Sequence, residues 1–325
     1  MNIEELKRSF AEYLEEKNNI YGADREPGNL YEPIDYILKL GGKKLRPILT
    51  LLSCDIFKAN YKNAMDAALA IEMFHNFTLM HDDIMDEAPL RRGKTTVHHK
   101  WNVNTGILSG DAMLILAYQF FESYDAKTYK KLVSLFNKTA LEVCEGQQMD
   151  MDFESRGDVT LPEYITMIKF KTAVLVACAL KMGAIIAEAD ENDAELIYDF
   201  GINLGLAFQL QDDYLDTFGS EDFGKQIGGD ILENKKTFLA IKLFELASDK
   251  DKETVIEWFS NNKKTGEKVQ AVTNLYRKYG VDKDVRSEIE SYTLKAFKNI
   301  EDLNIDISNK QVLIDFGNSL MKRKL

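Results

Sequence analysis

The chain has 325 residues, 45% of them hydrophobic, and a net charge of −12, with a pI near 5.0. Length and apolar content suffice for a large buried core and exclude a disordered chain. The acidic balance excludes generic binding to nucleic acid or an anionic membrane, so an anionic ligand would need local basic clusters or metal ions. No stretch approaches the roughly 18 apolar residues of a membrane span, so no integral membrane association is expected. The N-terminal MNIEELKRSFAEYLEEKNN is charged throughout and holds no signal core. Cys54, Cys144 and Cys178 are spaced for neither a disulfide framework nor a zinc site, and a reducing cytoplasm is the expected compartment.

Apolar residues recur at a helical period along nearly the whole chain, which predicts an all-α fold with no sheet, as a single domain over 1–325. Helices are expected at 2–18 and 31–40. The stretch GGKKLRP (41–47) stops the second at Gly41-Gly42 and starts a third, 46–57, at Pro47. Lys43, Lys44 and Arg46 then surround a helix N-terminus, an anion site by both charge and dipole. A helix over 61–86 runs into LMHDDIMDEAPLRRG (79–93), where Pro89 and the polar run beyond it end the helix. Further helices are expected at 104–123 and 126–149, then at 161–188, opened by a Thr160/Glu163 capping box with Pro162 in its first turn. The next, 193–218, is opened by Asn192 and Glu195. Those two helices are apolar on most faces and should be central. The remainder, 234–247, 251–260, 264–279, 282–301 and 309–323 (the last opened by Ser308 and Gln311), offers no legible chemistry beyond residue 248 and is expected to be scaffold.

Asp82, Asp83 and Asp86 lie three and four residues apart, so on a helix they share one side of one turn. They sit at a helix C-terminus, where the macrodipole already disfavours acids and something positive must compensate. Oxygen ligands without His or Cys suit a hard ion, and an open helix end suits magnesium shared with phosphate better than a closed calcium cage. The stretch FQLQDDYLD repeats the spacing with Asp212, Asp213 and Asp216, just before Gly219. Two such ends facing each other across a bundle would hold a magnesium cluster. Arg91 and Arg92 follow the first set directly, placed to clamp a phosphate. Lys171 in KFKTA, Lys225 in FGKQIGGD, and Lys235 and Lys236 in ENKKT add cations near the second. There is no Ser/His/Asp order, no nucleophilic Cys context and no Walker loop, which leaves diphosphate plus metal as the chemistry. Metal clamping makes a diphosphate a leaving group and suits heterolysis to a carbocation, which an apolar helix-lined cavity would keep from water.

At these residues, from GGKKLRP to GKQIGGDILENKKT, the sequence resembles the trans-isoprenyl diphosphate synthases, the polyprenyl synthetase family. The resemblance implies a helical bundle of the isoprenoid synthase type with a central apolar cavity, about three magnesium ions per site, and a homodimer. It implies isopentenyl diphosphate as one substrate and dimethylallyl, geranyl or farnesyl diphosphate as the other. By that resemblance Lys43, Arg46, His75 and Arg92 bind the isopentenyl diphosphate, while Arg91, Lys171, Lys225 and Lys235 hold the allylic one. Asp82, Asp86 and Asp212 are the main magnesium ligands, with Asp83, Asp213 and Asp216 supporting. Thr172 and Gln209 are similar to residues that stabilise the allylic cation, and Gln147 or Gln148 in GQQMD lines the metal site. On pattern alone His75 reads as a buried core histidine, His81 has only its position before the aspartates to suggest an orienting role, and His98 and His99 read as loop or helix-start residues.

Phe77 lies five residues before Asp82 and Phe74 eight, so their rings share a helix face and are expected to floor the chain-growth cavity. An aromatic at that fifth position with a small residue, Thr78, at the fourth resembles the geranylgeranyl-forming type. The expected product therefore has twenty carbons, with a fifteen-carbon or a longer chain as the alternative. A class I terpene cyclase would be expected to replace the second aspartate motif, and a non-catalytic partner subunit to have lost one or both, so both are weaker readings.

Overall fold

The computed structural model describes residues 3–219, 227–260 and 265–321. Within them the chain is all-α apart from one two-residue hairpin, and no helix is long and apolar enough to cross a membrane. Two compact units are present, one from 1–137 and 178–194, the other from 138–177 and 195–325.

The first unit is organised around the Met65–Met85 helix. Ala67 through Phe74 are buried without interruption, so this helix is covered on every side, as its lack of a polar face requires. Leu45–Ile56 and Val103–Gln119 pack against it. Gly183 lets another helix close in: a Cβ there would stand 2.3 Å from the Thr50 carbonyl oxygen. The centre of the helix carries the ring cluster Phe74, Phe121 and Phe136, all buried, with Phe74–Phe136 centroids 5.0 Å apart.

The end of this helix differs from expectation in its cause. It stops at Asp86 through backbone geometry rather than at Pro89. Glu87 takes a left-handed φ of +49°, and the amides of Glu87 and Ala88 turn back to the carbonyls of Ile84 and Asp83, the paired bonds of a Schellman motif. A hairpin follows where no sheet was predicted: Leu90–Arg91 pairs antiparallel with Lys94–Thr95. Its turn residues, Arg92 and Gly93, both have positive φ, +53° and +74°, the combination that two-residue hairpin turns require.

In the second unit the predicted continuous helix 161–188 is divided. Leu161–Ile168 opens with the Thr160/Glu163 capping box as expected, Lys169–Ala173 is a single π-turn, and α-helix resumes over Val174–Ile186. Two glycines make room for the turn: Cβ atoms on Gly146 and Gly205 would lie 2.3 Å from the Lys171 amide nitrogen and 2.7 Å from Ala173 Cα. The Glu191–Phe218 helix starts one residue before Asn192, with Asp190 Oδ1 accepting from the Asp193 amide at 2.8 Å, so the cap is Asp190. Ile307–Met321 likewise begins before Ser308. The expected helix over 234–247 begins only at Phe238, capped by Thr237, because Asn234 is left-handed, φ +57°.

Candidate active site

Gly41, Gly42 and Lys44 all have positive φ, which swings the chain sharply into the Leu45–Ile56 helix. The result is a cleft of about 370 Å³ lined by Lys43, Lys44, Arg46, His75, Arg92 and Glu72 among others. The four residues expected to hold isopentenyl diphosphate therefore come together. Arg92 donates to the Gly41 carbonyl, and its guanidinium occupies the space a Gly42 side chain would need, 2.6 Å from the position of a Cβ. Arg46 Nη1 lies 3.1 Å from His75 Nε2, while Arg46 Nε is buried with no hydrogen-bond partner. Burial and then the charges of Arg46 and Arg92 hold the His75 imidazole well below its usual range, so it is neutral and its Nε2 accepts. Burial pulls Arg46 down to about 10, opposed by Glu72, leaving it charged at neutral pH.

Glu72 was not evident from sequence. It is 3% exposed, accepts from Lys44 Nζ at 2.8 Å and from Asn76 Nδ2 at 2.8 Å, and supplies the negative charge that makes this basic cluster tolerable before an anion enters. Lys44 also reaches the Leu38 carbonyl at 3.0 Å, so it braces the loop, whereas Lys43 is exposed.

At the helix end, the hairpin delivers Arg91 back onto the aspartates. Its Nε donates to Asp83 Oδ2 at 2.7 Å, and Nη2 stands 3.7 Å from Asp82 Oδ2. Asp83 is buried and its Oδ1 has no hydrogen-bond partner, while Asp82 is half-buried and Asp86 exposed. Among the described residues no three acidic, His or Cys side chains are gathered as a ready metal shell. The donor set is nonetheless that of a hard cation: carboxylate oxygens only, one of them an orphaned buried oxygen, at the negative end of a helix. His81 is turned elsewhere, 3.2 Å from the Ile107 carbonyl and packed against Gly110 and Phe77. Phe77 is half-buried and Phe74 lies behind it in the core, centroids 5.6 Å apart. Thr78 donates to the His75 carbonyl at 2.8 Å.

In the second unit the π-turn presents Lys171 and Thr172. Lys171 Nζ meets Asp150 Oδ2 at 2.5 Å, a partner within GQQMD that sequence reasoning passed over in favour of the glutamines. Gln148 instead donates to Asp152 at 2.8 Å. Thr172 Oγ1 donates to Gln209 Oε1 at 3.2 Å, and Gln209 Nε2 to Asp213 Oδ1 at 3.1 Å. Tyr164 donates to the other Asp213 oxygen. Burial first, and the nearby Asp230 second, push the Asp213 carboxyl up. Asp212 and Asp216 are only half-buried. Asp216 Oδ2 accepts from the Asp230 amide at 3.0 Å, and Lys235 Nζ stands 3.7 Å from Asp230 Oδ1. Lys225 lies outside the described residues. Asp230 is a third acid missed in the sequence, after Glu72 and Asp150, although GGD beside the lysines was the available signal.

A family model described as polyprenyl synthetase matches residues 27–276. A curated geranylgeranyl pyrophosphate synthase of Geoglobus acetivorans is 36% identical over 323 residues, covering 99% of each chain. A crystal structure of a geranylgeranyl pyrophosphate synthase superposes with TM-score 0.94 at 55% identity over the whole of both chains. The geranylgeranyl pyrophosphate synthetase of Pyrococcus horikoshii Ot3 does so with TM-score 0.91 at 32% identity, covering 99% of each.

Proposed function

The chain belongs to the polyprenyl synthetase family of trans-prenyltransferases, and from that premise we propose that it condenses isopentenyl diphosphate with an allylic diphosphate to make geranylgeranyl diphosphate. The observation that carries the reading is the cleft of Lys43, Arg46, His75 and Arg92. Three cations and one neutral imidazole around a glycine turn suit a diphosphate and little else.

In this reading Asp82, Asp86 and Asp212 would be the main magnesium ligands, for about three ions in all, and Asp83, Asp213 and Asp216 would support them. Magnesium, when bound, neutralises the allylic diphosphate and makes it a leaving group. Lys171, Lys225, Lys235 and Arg91 grip the same diphosphate. When the allylic C–O bond breaks, the electron pair leaves with diphosphate. The neutral oxygens of Thr172 and Gln209 stabilise the cation without the capture a carboxylate would risk. The isopentenyl double bond then attacks, and the released diphosphate takes one proton from the resulting cation, which restores an alkene. Phe77 floors the product, consistent with its half-buried position in front of Phe74.

The family is usually homodimeric, and Val103, Ile107, Leu108 and Ile115, exposed on one helix, support pairing with a second copy; sedimentation of the purified chain tests this. Cys54, Cys144 and Cys178 form no disulfide among the described residues, in keeping with a cytoplasmic site. Incubation with magnesium, isopentenyl diphosphate and farnesyl diphosphate, followed by chromatography, tests the function. A twenty-carbon diphosphate supports it, whereas cyclic hydrocarbon or no turnover refutes it.

A further inference from the structure

Lys268 is 1% exposed, in a helix, Gly266–Lys278, that the proposed chemistry leaves unused. A buried ammonium is costly unless its donors are satisfied by well-placed acceptors. Its Nζ meets Asn234 Oδ1 at 2.6 Å and the Leu232 carbonyl at 3.5 Å, and it stands 5.4 Å from the Phe259 ring centroid. Asn234 is held left-handed, so both acceptors belong to the turn that separates Asp230 from Lys235.

That turn is fastened to the second aspartate set by backbone bonds. The Gly228 amide donates to the Asp216 carbonyl at 2.6 Å, the Asp230 amide to Asp216 Oδ2 at 3.0 Å, and the Lys235 amide to the Asp230 carbonyl at 2.9 Å. The helix bearing Lys268 also presses directly on it: a Cβ on Gly228 would lie 2.4 Å from Val269 Cγ1. Together with those bonds, the ammonium therefore ties down the turn whose Asp230 amide orients Asp216 and from which Lys235 departs.

We propose that Lys268 is a positioning residue for the allylic diphosphate half of the reaction, holding the 228–235 turn so that Asp216 and Lys235 are correctly presented. The proposal rests on the reading that those two residues serve the magnesium-bound allylic diphosphate. It distinguishes the allylic side from the isopentenyl cleft, whose lining does not include Lys268.

The test uses the full chain and two substitutions, Lys268→Met, which keeps the length of the stem and removes the donor, and Asn234→Gly, which keeps the left-handed backbone and removes the acceptor. Hydrogen exchange without ligands should quicken at least tenfold at the amides of Gly228, Asp230 and Lys235 in both variants and stay unchanged in the Met65–Met85 helix. With saturating magnesium, KM for farnesyl diphosphate should rise several-fold and KM for isopentenyl diphosphate stay within twofold. Lys268→Arg should recover part of both effects. Unchanged exchange at those three amides overturns the proposal, as does equal loosening of the whole chain. If Lys268→Met does not fold, Asn234→Gly carries the same two readouts. Wild-type elongation, run in parallel, tests the functional reading separately, because the exchange measurement needs no turnover.

Discussion

Gly41 and Gly42 differ in one respect that makes them a matched pair. Both are in backbone regions that an L side chain rarely adopts, φ +82° and +118°, so alanine at either costs about 1–3 kcal/mol of stability. At Gly41 a Cβ meets nothing within 4 Å, whereas at Gly42 it would fall 2.6–2.8 Å from three atoms of the Arg92 guanidinium. Arg92 is exposed at the end of a flexible stem, so the chain folds and the guanidinium moves. Losing its charge-assisted contact with a diphosphate forfeits about 1.5–3 kcal/mol, on the order of 10- to 100-fold in affinity. Gly42→Ala should therefore raise KM for isopentenyl diphosphate by that factor, measured by steady-state elongation with farnesyl diphosphate saturating. Gly41→Ala should lower the melting temperature comparably and leave KM near wild type. Equal KM values in the two variants would show that Arg92 does not hold the isopentenyl diphosphate.

Phe77→Ala should shift the product towards longer chains by at least one isoprene unit; an unaltered chromatographic profile removes Phe77 as the floor. The His75 imidazole should show no titration by nitrogen-15 NMR between pH 8 and 5.5 and should carry its proton on Nδ1, since Nε2 accepts from Arg46. A histidine held below its unfolded pKa of about 6.5 contributes stability that is lost as pH falls through that value, so His75→Gln should flatten the acid limb of a urea-denaturation series. Asp213 acts in the opposite sense. Its folded pKa is raised by burial and by Asp230, so its contribution is full below the ordinary carboxylate range and declines as pH rises above it. Magnesium-free protein in chelator should thus lose stability from pH 5 to pH 8, and Asp213→Asn should reduce that slope; an unchanged slope would assign it to other groups.

Much of the molecule is readable from sequence where the signal is local and repeated. Long apolar stretches announce the Met65–Met85 and Glu191–Phe218 helices, and the Thr160/Glu163 box its own helix start. The hairpin at Leu90–Thr95 was invisible because two residues per strand leave no alternation to detect. The π-turn leaves no periodic trace either, since KFKTA inside an apolar run reads as uninterrupted helix. The start expected at 234 went astray because a left-handed residue other than glycine, Asn234, interrupts the chain there, and the same device at Glu87 ends a helix at the expected place by an unexpected cause. At the site, the charged strings themselves were legible, but what steadies them was not. Glu72, Asp150, Tyr164, Asp230 and Lys268 act on partners 14 to 49 positions away, a distance that only the folded chain reveals.

The five residues Lys169–Ala173 close an i to i+5 turn where ordinary helix would close i to i+4. One surplus residue is thereby stored, and each residue of an α-helix corresponds to about 100° of rotation. Drawing Lys169–Ala173 into uninterrupted α geometry with no residue removed would wind that surplus residue into the rod. Its two ends would then be out of phase by more than a quarter turn. Either Tyr164 and the capping box, or the small side chains of Val174–Ile186, would face the wrong neighbours. The irregularity thus sets the angular offset between two stretches that sequence alone presents as one.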